Sequence, residues 1–482
     1  MKRILLFLML GYSSGTFAQE MRPLPSLFEV TGAPAANVRS SSNGGKMGVM
    51  MANPMNKEIR KVKFADLHKM AFEGKLDKAS PAHFEISIPK GRGTDAIKSV
   101  LAIPKYIEVK PNGDYEYSAD LVKSKSDRGH IIIIHQGGKN FGSMTFNDRT
   151  FRMESDAVEG DILIEIDKKI LDSPTSCGTS NFTQNDKKTG SNKTLPDLSG
   201  LASRAAANGS CEVRVLVLFT DNAARVSNPA QLAPTFIAET NTALRNSGIA
   251  ATHLNFVLAG TQRVVFNDRF SINADLVLPR AVTDTNIAAL RAQNRADLVI
   301  VLTDGNYEAR SELNVLLGSV LGIATLDEYS FANTGHMALV EADASGFTFA
   351  HEVGHLMGAK HDNDLRTIGN PTAGLRLPPA LTESAKGKTW FIRDCFICGR
   401  RDRKSMVAHG NTIGIRTPYF SNPAVTEPRG RSATGAADRN NFAQLLRAAP
   451  VVSGYDNTPA LIVGISGPGS VQLFTNYTLT AS

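Results

Sequence analysis

Residues 351–362 read His351-Glu352-Val353-Gly354-His355-Leu356-Met357-Gly358-Ala359-Lys360-His361-Asp362. His351 and His355 are four apart, so on a helix they lie one turn from each other on the same face. Two neutral imidazoles in that relation can hold a zinc ion at about 2.0–2.1 Å each. Glu352 follows the first imidazole and points off that stripe, where its carboxylate can reach a water beside the ion without ligating it. Gly358 can take a left-handed conformation, which ends the helix and turns the chain back. His361 can then approach the same ion from the turn. Three protein ligands leave the fourth position open, the arrangement of a catalytic zinc and not of a structural one. A bare His-Glu-x-x-His also occurs on ordinary helices; the extended string, with Gly358 and His361, is far more specific.

The extended string resembles the metzincin clan of zinc endopeptidases. Asp362 after the third histidine is similar to the adamalysin (reprolysin) branch. The resemblance implies an α+β zincin-like (metzincin) catalytic domain with a mixed, mostly parallel twisted sheet and an active-site helix, preceded by a β-rich prodomain. It implies one catalytic Zn2+ on His351, His355 and His361, Glu352 as general base, and a methionine turn beneath the ligands. Ser405-Met406-Val407-Ala408-His409-Gly410 fits that turn, with Asp362 as a brace for it; the plainer reading of Met406 is a core methionine. Ala408 stands where some metzincins carry a tyrosine ligand, which argues against a fourth protein ligand. The segment Pro418-Tyr419-Phe420-Ser421-Asn422-Pro423 is similar to the closing loop of bacterial metzincins, including those called peptidyl-Asp metalloendopeptidases.

The same resemblance gives a meaning to the cations around Met406. Arg400, Arg401 and Arg403 precede it and Arg416 follows. Metzincins build there the wall of the pocket for the residue after the scissile bond, and a guanidinium would favour an acidic side chain through charge-assisted hydrogen bonds. The alternative is a solvated loop.

The rest of the chain sets the context. At 482 residues it has room for two to four domains, and its 42% hydrophobic and 21% charged content is that of a globular protein. Lys2 and Arg3, an apolar run from Ile4 to Leu10 and small residues up to Ala18 read as a signal peptide over residues 1–18. That run is too short to span a bilayer and no later one approaches 18 apolar residues, so a secreted, extracellular protein without a membrane anchor is expected. The net charge of +7 is scattered and accompanied by no nucleic-acid motif, so protein or peptide substrates are expected and not nucleic acid.

Residues 19–178 carry alternating strand-like runs such as His83–Ile88, His130–His135 and Asp161–Ile166, separated by turn signals such as Pro111-Asn112-Gly113-Asp114. A β-rich region ahead of a protease domain suggests a propeptide acting as the chain's own inhibitor. Residues 179–210 read as a polar linker carrying the activation cleavage. Cys177-Gly178, just before it, resembles the zymogen switch of many metzincins, in which a thiolate takes the open zinc position. Four cysteines, Cys177, Cys211, Cys395 and Cys398, allow three connectivities, and a Cys177–Cys211 disulfide is the competing reading.

Residues 211–455 alternate between strand and helix as a catalytic domain of this kind requires. Strands are expected at Val213–Phe219, His253–Val265, Ala296–Leu302 and His336–Glu341, and helices at Pro234–Asn246, Asp284–Asn294 and Phe347–Met357. Leu321–Ala324 is expected as the edge strand that receives an extended substrate, the alternative being a plain loop or an inner strand. Residues 456–482 resemble the start of an incomplete immunoglobulin-like segment. The whole reads as a secreted zinc endopeptidase made as a zymogen. The rival is a catalytically silent binding or adhesion protein on the same scaffold, against which the retained Glu352 argues.

Overall fold

In this computed structural model the described residues are 26–31, 56–65, 83–89, 96–124, 127–147, 149–156, 160–166, 177–180, 211–310, 316–325, 336–344, 347–361, 386–392, 401–408, 415–427, 432–455, 463–465 and 471–473. The expected signal peptide and all of the linker after Ser180 lie outside them.

The first part is a closed barrel. Its strands are β1 (Ser26–Val30), β2 (Asn56–Phe64), β3 (Phe84–Pro89), β4 (Ala96–Val109), β5 (Tyr115–Val122), β6 (Arg128–Gln136), β7 (Lys139–Phe146), β8 (Arg149–Asp156) and β9 (Gly160–Ile166). They run in the order β1-β2-β9-β8-β7-β6-β5-β4-β3, and the parallel β1–β3 pair closes the ring. From β3 to β9 every strand pairs antiparallel with the next, as short turns dictate. Gly113, at φ 91°, makes the turn between β4 and β5. Alternate residues point inward, and Phe28, Phe84, Ile86, Tyr117, Ile131, Ile133, Met144 and Phe151 share the barrel core.

Two strands break the alternation. In β6 Ile132 and Ile134 are as buried as Ile131 and Ile133, and in β9 Ile162, Ile164 and Ile166 are buried alongside Leu163. A strand that is apolar on both faces must be covered on both faces. The outer cover is the second part of the molecule: Ile132 and Ile134 cluster with Phe141 and Ala238, and the β9 isoleucines join its core.

That second part is a six-stranded sheet in the order β10-β16-β17-β13-β11-β12. Its elements begin with β10 (Cys177–Ser180), β11 (Cys211–Phe219), α1 (Asp221–Val226), α2 (Pro229–Asn246), β12 (Leu254–Arg263), α3 (Ala274–Thr283) and α4 (Thr285–Asn294). Next come β13 (Leu298–Thr303), the hairpin β14 (Glu308–Arg310) and β15 (Leu316–Ser319), β16 (Gly322–Thr325), β17 (Met337–Glu341) and α5 (Thr348–Leu356). A small sheet of β18 (Thr389–Ile392), β19 (Arg401–Lys404) and β20 (Ile415–Arg416) follows, then α6 (Asn441–Val452) and the hairpin β21 (Val463–Ile465) and β22 (Val471–Leu473). β12, β11, β13 and β17 are parallel, and β16 is antiparallel to β17. The sheet is therefore mixed and mostly parallel, and its central strands read as unbroken apolar runs because helices cover them.

Several expectations are corrected. α2 starts at Pro229, so Pro229 takes the first-turn place expected of Pro234, which lies inside the helix. The sequence gives no sign of α3, because Pro279 sits within it; Asn273 caps it by accepting from the Asp275 N–H at 2.9 Å. β16 is not the outermost strand: β10 lies beyond it, and Thr179 and Ser180, expected in the linker, are strand residues. Cys211 is a free thiol, half-buried and hydrogen-bonded to Ser453, so the Cys177–Cys211 disulfide is not formed.

Candidate metal centre

Helix α5 is preceded by Phe347 in the left-handed conformation at φ 67°, and all nine of its residues are buried. It ends at Met357, and Gly358 at φ 81° turns the chain back, so that Ala359 N–H bonds to the Gly354 carbonyl at 2.9 Å. A side chain at Gly358 would be strained in that backbone conformation, and its Cβ would also lie 2.4 Å from Gln444 Nε2. Gln444, on α6, donates from that nitrogen to the Met357 carbonyl at 3.1 Å, satisfying one of the open carbonyls at the helix end.

This turn brings three imidazoles to one point. The Nε2 atoms of His351 and His355 are 3.0 Å apart, those of His355 and His361 3.0 Å, and those of His351 and His361 3.2 Å. His351 Nδ1 donates to the Met406 carbonyl at 2.7 Å, and His355 Nδ1 to the Ala359 carbonyl at 2.8 Å. A carbonyl can only accept, so both rings carry their proton on Nδ1 and present a bare lone pair at Nε2. Lone pairs converging at about 3 Å repel unless a cation sits among them. Ligand distances of about 2.0–2.1 Å around a tetrahedral zinc ion require nearly this spacing. Burial, first, and then the charge of Arg416 and the neighbouring rings hold the His351 pKa well below its ordinary value, which keeps the imidazole in its neutral, ligating form. The donor set fits a Zn2+ ion. Among the described residues this is the cluster of His, Cys, Asp and Glu close enough to hold a metal.

Glu352 is fully buried on the same helix and faces β16. A Cβ on Gly322, the first residue of β16, would lie 2.6 Å from Glu352 Oε1 and 2.8 Å from its Cγ. Only a glycine leaves room there for the carboxylate. Gly354, between His351 and His355 on the helix, is constrained in the same way: a Cβ would meet Val407 Cγ2 at 2.7 Å. α5 therefore rests directly on the 405–408 turn. Met406 is fully buried in it, and its N–H bonds to the Tyr419 carbonyl at 2.6 Å.

The other singled-out residues are placed as follows. Arg403 is buried and Arg416 half-buried, on the paired strands β19 and β20, and they line a cavity of about 70 Å³ with Tyr419 and Glu427. Its far wall is the barrel, through Asp120, Arg128 and His130. These two arginines are thus not on a solvated loop. The backbone of Arg401 is in β19, whereas Arg400, Asp362, Cys395 and Cys398 lie outside the described residues. Cys177 lies opposite Gly322 in the parallel β10–β16 pair. Gly322, Gly354 and Gln444 escape a reading of the sequence; the one signal is the glycine in the run Leu321-Gly322-Ile323-Ala324, where a strand would place a side chain.

Residues 210–389 match the family described as Metallo-peptidase family M12 (Reprolysin_5). Peptidyl-Asp metalloendopeptidase of Stenotrophomonas maltophilia K279a is 24% identical over 367 residues, covering 71% of this chain and 78% of that one. The protein of the same name from strain R551-3 is 24% identical over 352 residues, with 68% and 74% covered. That from Xanthomonas campestris pv. campestris is 24% identical over 322 residues, with 64% and 66% covered.

Proposed function

We propose that this chain, whose residues 210–389 match the family M12 metallopeptidases, is a metzincin-like zinc metalloendopeptidase that is exported as a zymogen and cuts internal peptide bonds with Glu352 as general base. The observation that carries this reading is the convergence of His351, His355 and His361 within 3.2 Å beside the buried Glu352.

The three imidazoles would hold the Zn2+, whose chemistry is to polarise the scissile carbonyl and acidify water. The carbonyls of Met406 and Ala359 fix the tautomers of His351 and His355 and aim both rings. Glu352 takes the proton of the attacking water and passes it to the leaving amine. Its seat against Gly322 keeps it off the ligand stripe and next to the strand along which an extended substrate would pair. In the uncut chain β10 takes that place. The backbone pairing of Cys177 with Gly322 supports the reading of Cys177 as the zymogen switch, whose thiolate would take the open metal position. Buried Arg403 and half-buried Arg416 on the paired strands β19 and β20, and the names of the relatives, support a preference for an acidic residue after the scissile bond.

The test is Glu352→Ala in the activated protein, read by casein digestion and zinc content. Zinc retained with peptidase activity reduced by roughly 10²–10⁴-fold is expected. Digestion at the unaltered rate would remove Glu352 from the mechanism.

A further inference from the structure

We propose that the barrel is held on the peptidase domain by a docking surface of its own and stays there after the chain between β10 and β11 is cut. This rests on the zymogen reading. A purely inhibitory segment needs to reach only the cleft, whereas the barrel is built for attachment elsewhere. Its outer face over β2, β9, β7 and β6 presents Ile59, Ile162, Ile164, Phe141, Ile132 and Ile134, all buried. On a free barrel they would form two apolar patches, Ile59, Ile162 and Ile164 on one side of β8 and Ile132, Ile134 and Phe141 on the other, exposed surface of the kind that marks a protein interface.

The opposing surface is α2, whose 18 residues are buried all round apart from four. Some of its polar side chains are matched to the barrel. Gln231 accepts from the Ser155 N–H at 3.0 Å and donates to the Ser155 carbonyl at 2.7 Å, extending the ladder of β8 as a strand would. Arg245 bonds Glu116 at 3.2 Å and lies over the Tyr106 ring at 4.0 Å. Ala238 is the small residue that lets Ile132, Ile134 and Phe141 close on the helix. On the barrel, Arg152 and Glu154 form a buried pair at 2.8 Å on the same outer face. A buried charge pair of this type contributes specificity more than strength.

The dock and the inhibitory strand are separate in the sheet. α2 packs on β12, at one edge, while β10 lies at the other. A cut between residues 181 and 210 leaves every dock contact in place, and β10 remains part of the barrel's chain. The cut chain is then a two-fragment particle in which β10 is tethered beside β16, at an effective concentration no free peptide reaches.

The experiment inserts a site-specific protease sequence between Asn192 and Lys193 of the full chain and cuts it. Gel filtration at about 1 µM follows, and casein digestion is measured before the cut, after it, and after the fragments are separated in denaturant and the peptidase fragment refolded. Co-elution of both fragments as one particle is expected, with Ala238→Arg raising the dissociation constant at least about tenfold. Fragments of the unaltered chain that separate at once overturn the proposal, as does an Ala238→Arg protein that melts like the parent and keeps its fragments together equally well. If the uncut chain digests casein as fast as the separated peptidase fragment, the zymogen reading fails, while co-elution still reads the dock.

Discussion

Helices α5 and α2 are both buried almost all round, and both bury polar side chains, yet to different ends. On α5 the buried polar residues are Thr348, His351, Glu352 and His355, and its two histidines converge with His361 within a single turn and its cap. On α2 they include Gln231, Thr235, Glu239 and Asn241, strung along the helix, and each of these finds its own partner. Thr235 bonds back to its own helix, Asn241 to both backbone groups of Phe256, and Gln231 to the barrel. Burying a polar group is costly unless it is satisfied. Convergence on one point marks chemistry; distribution along a face marks an interface.

The contrast can be broken most forcefully at Glu239. It is buried against Ser143 of β7, and burial raises its carboxyl to about 7 despite that hydrogen bond. The docked state therefore holds a proton that the undocked helix releases near the ordinary value of 4.5. Docking is strongest below pH 4.5, weakens as the pH rises to about 7 and is flat above it. For fragments of the cut chain the dissociation constant should rise on the order of 100-fold across that range. Glu239→Gln should abolish the slope; a slope that survives would show that α2 does not control the dock through this carboxyl.

On the α5 side, Gly322→Ala forces Glu352 to move because nothing around a fully buried carboxylate yields easily. A displacement approaching 1 Å predicts kcat lower by about 10- to 100-fold with KM and zinc content unchanged. Equal losses in kcat and thermal stability would mean that the glycine serves packing alone. Smallest is Arg245→Ala. Its pair with Glu116 is about three-quarters buried on each side, so the interface should loosen only by about 1 kcal/mol at low salt, and by less when salt is added. Calorimetric binding of the fragments at two ionic strengths would check this.

The centre is more legible in the sequence than the dock because its chemistry is local. His351, Glu352, His355, Gly358 and His361 lie within one helix and the turn after it. The route of the Met406 carbonyl to His351, the room that Gly322 leaves for Glu352 and the support from Gln444 all come from segments far away in the chain. The dock had a visible trace, the four isoleucines of β6 and the Ile-Leu-Ile of β9, which say that both faces are covered but not by what. α3 was hidden by Pro279, since the local penalty of a proline is easily outweighed by the burial of Ala274, Val277, Leu278 and Ala281.

By itself the sequence determined the period of α5, the donor types facing one way from it, the glycine that turns the chain back, and the apolar strands around them. These follow from helix geometry and side-chain chemistry over a dozen residues. Only the tertiary structure decided that β10 lies outside β16, that the barrel rests on α2, that Cys211 is unpaired and that Arg403 and Arg416 face a wall of the barrel. Such placements depend on contacts between segments 76 or more residues apart, and no local periodicity carries that information.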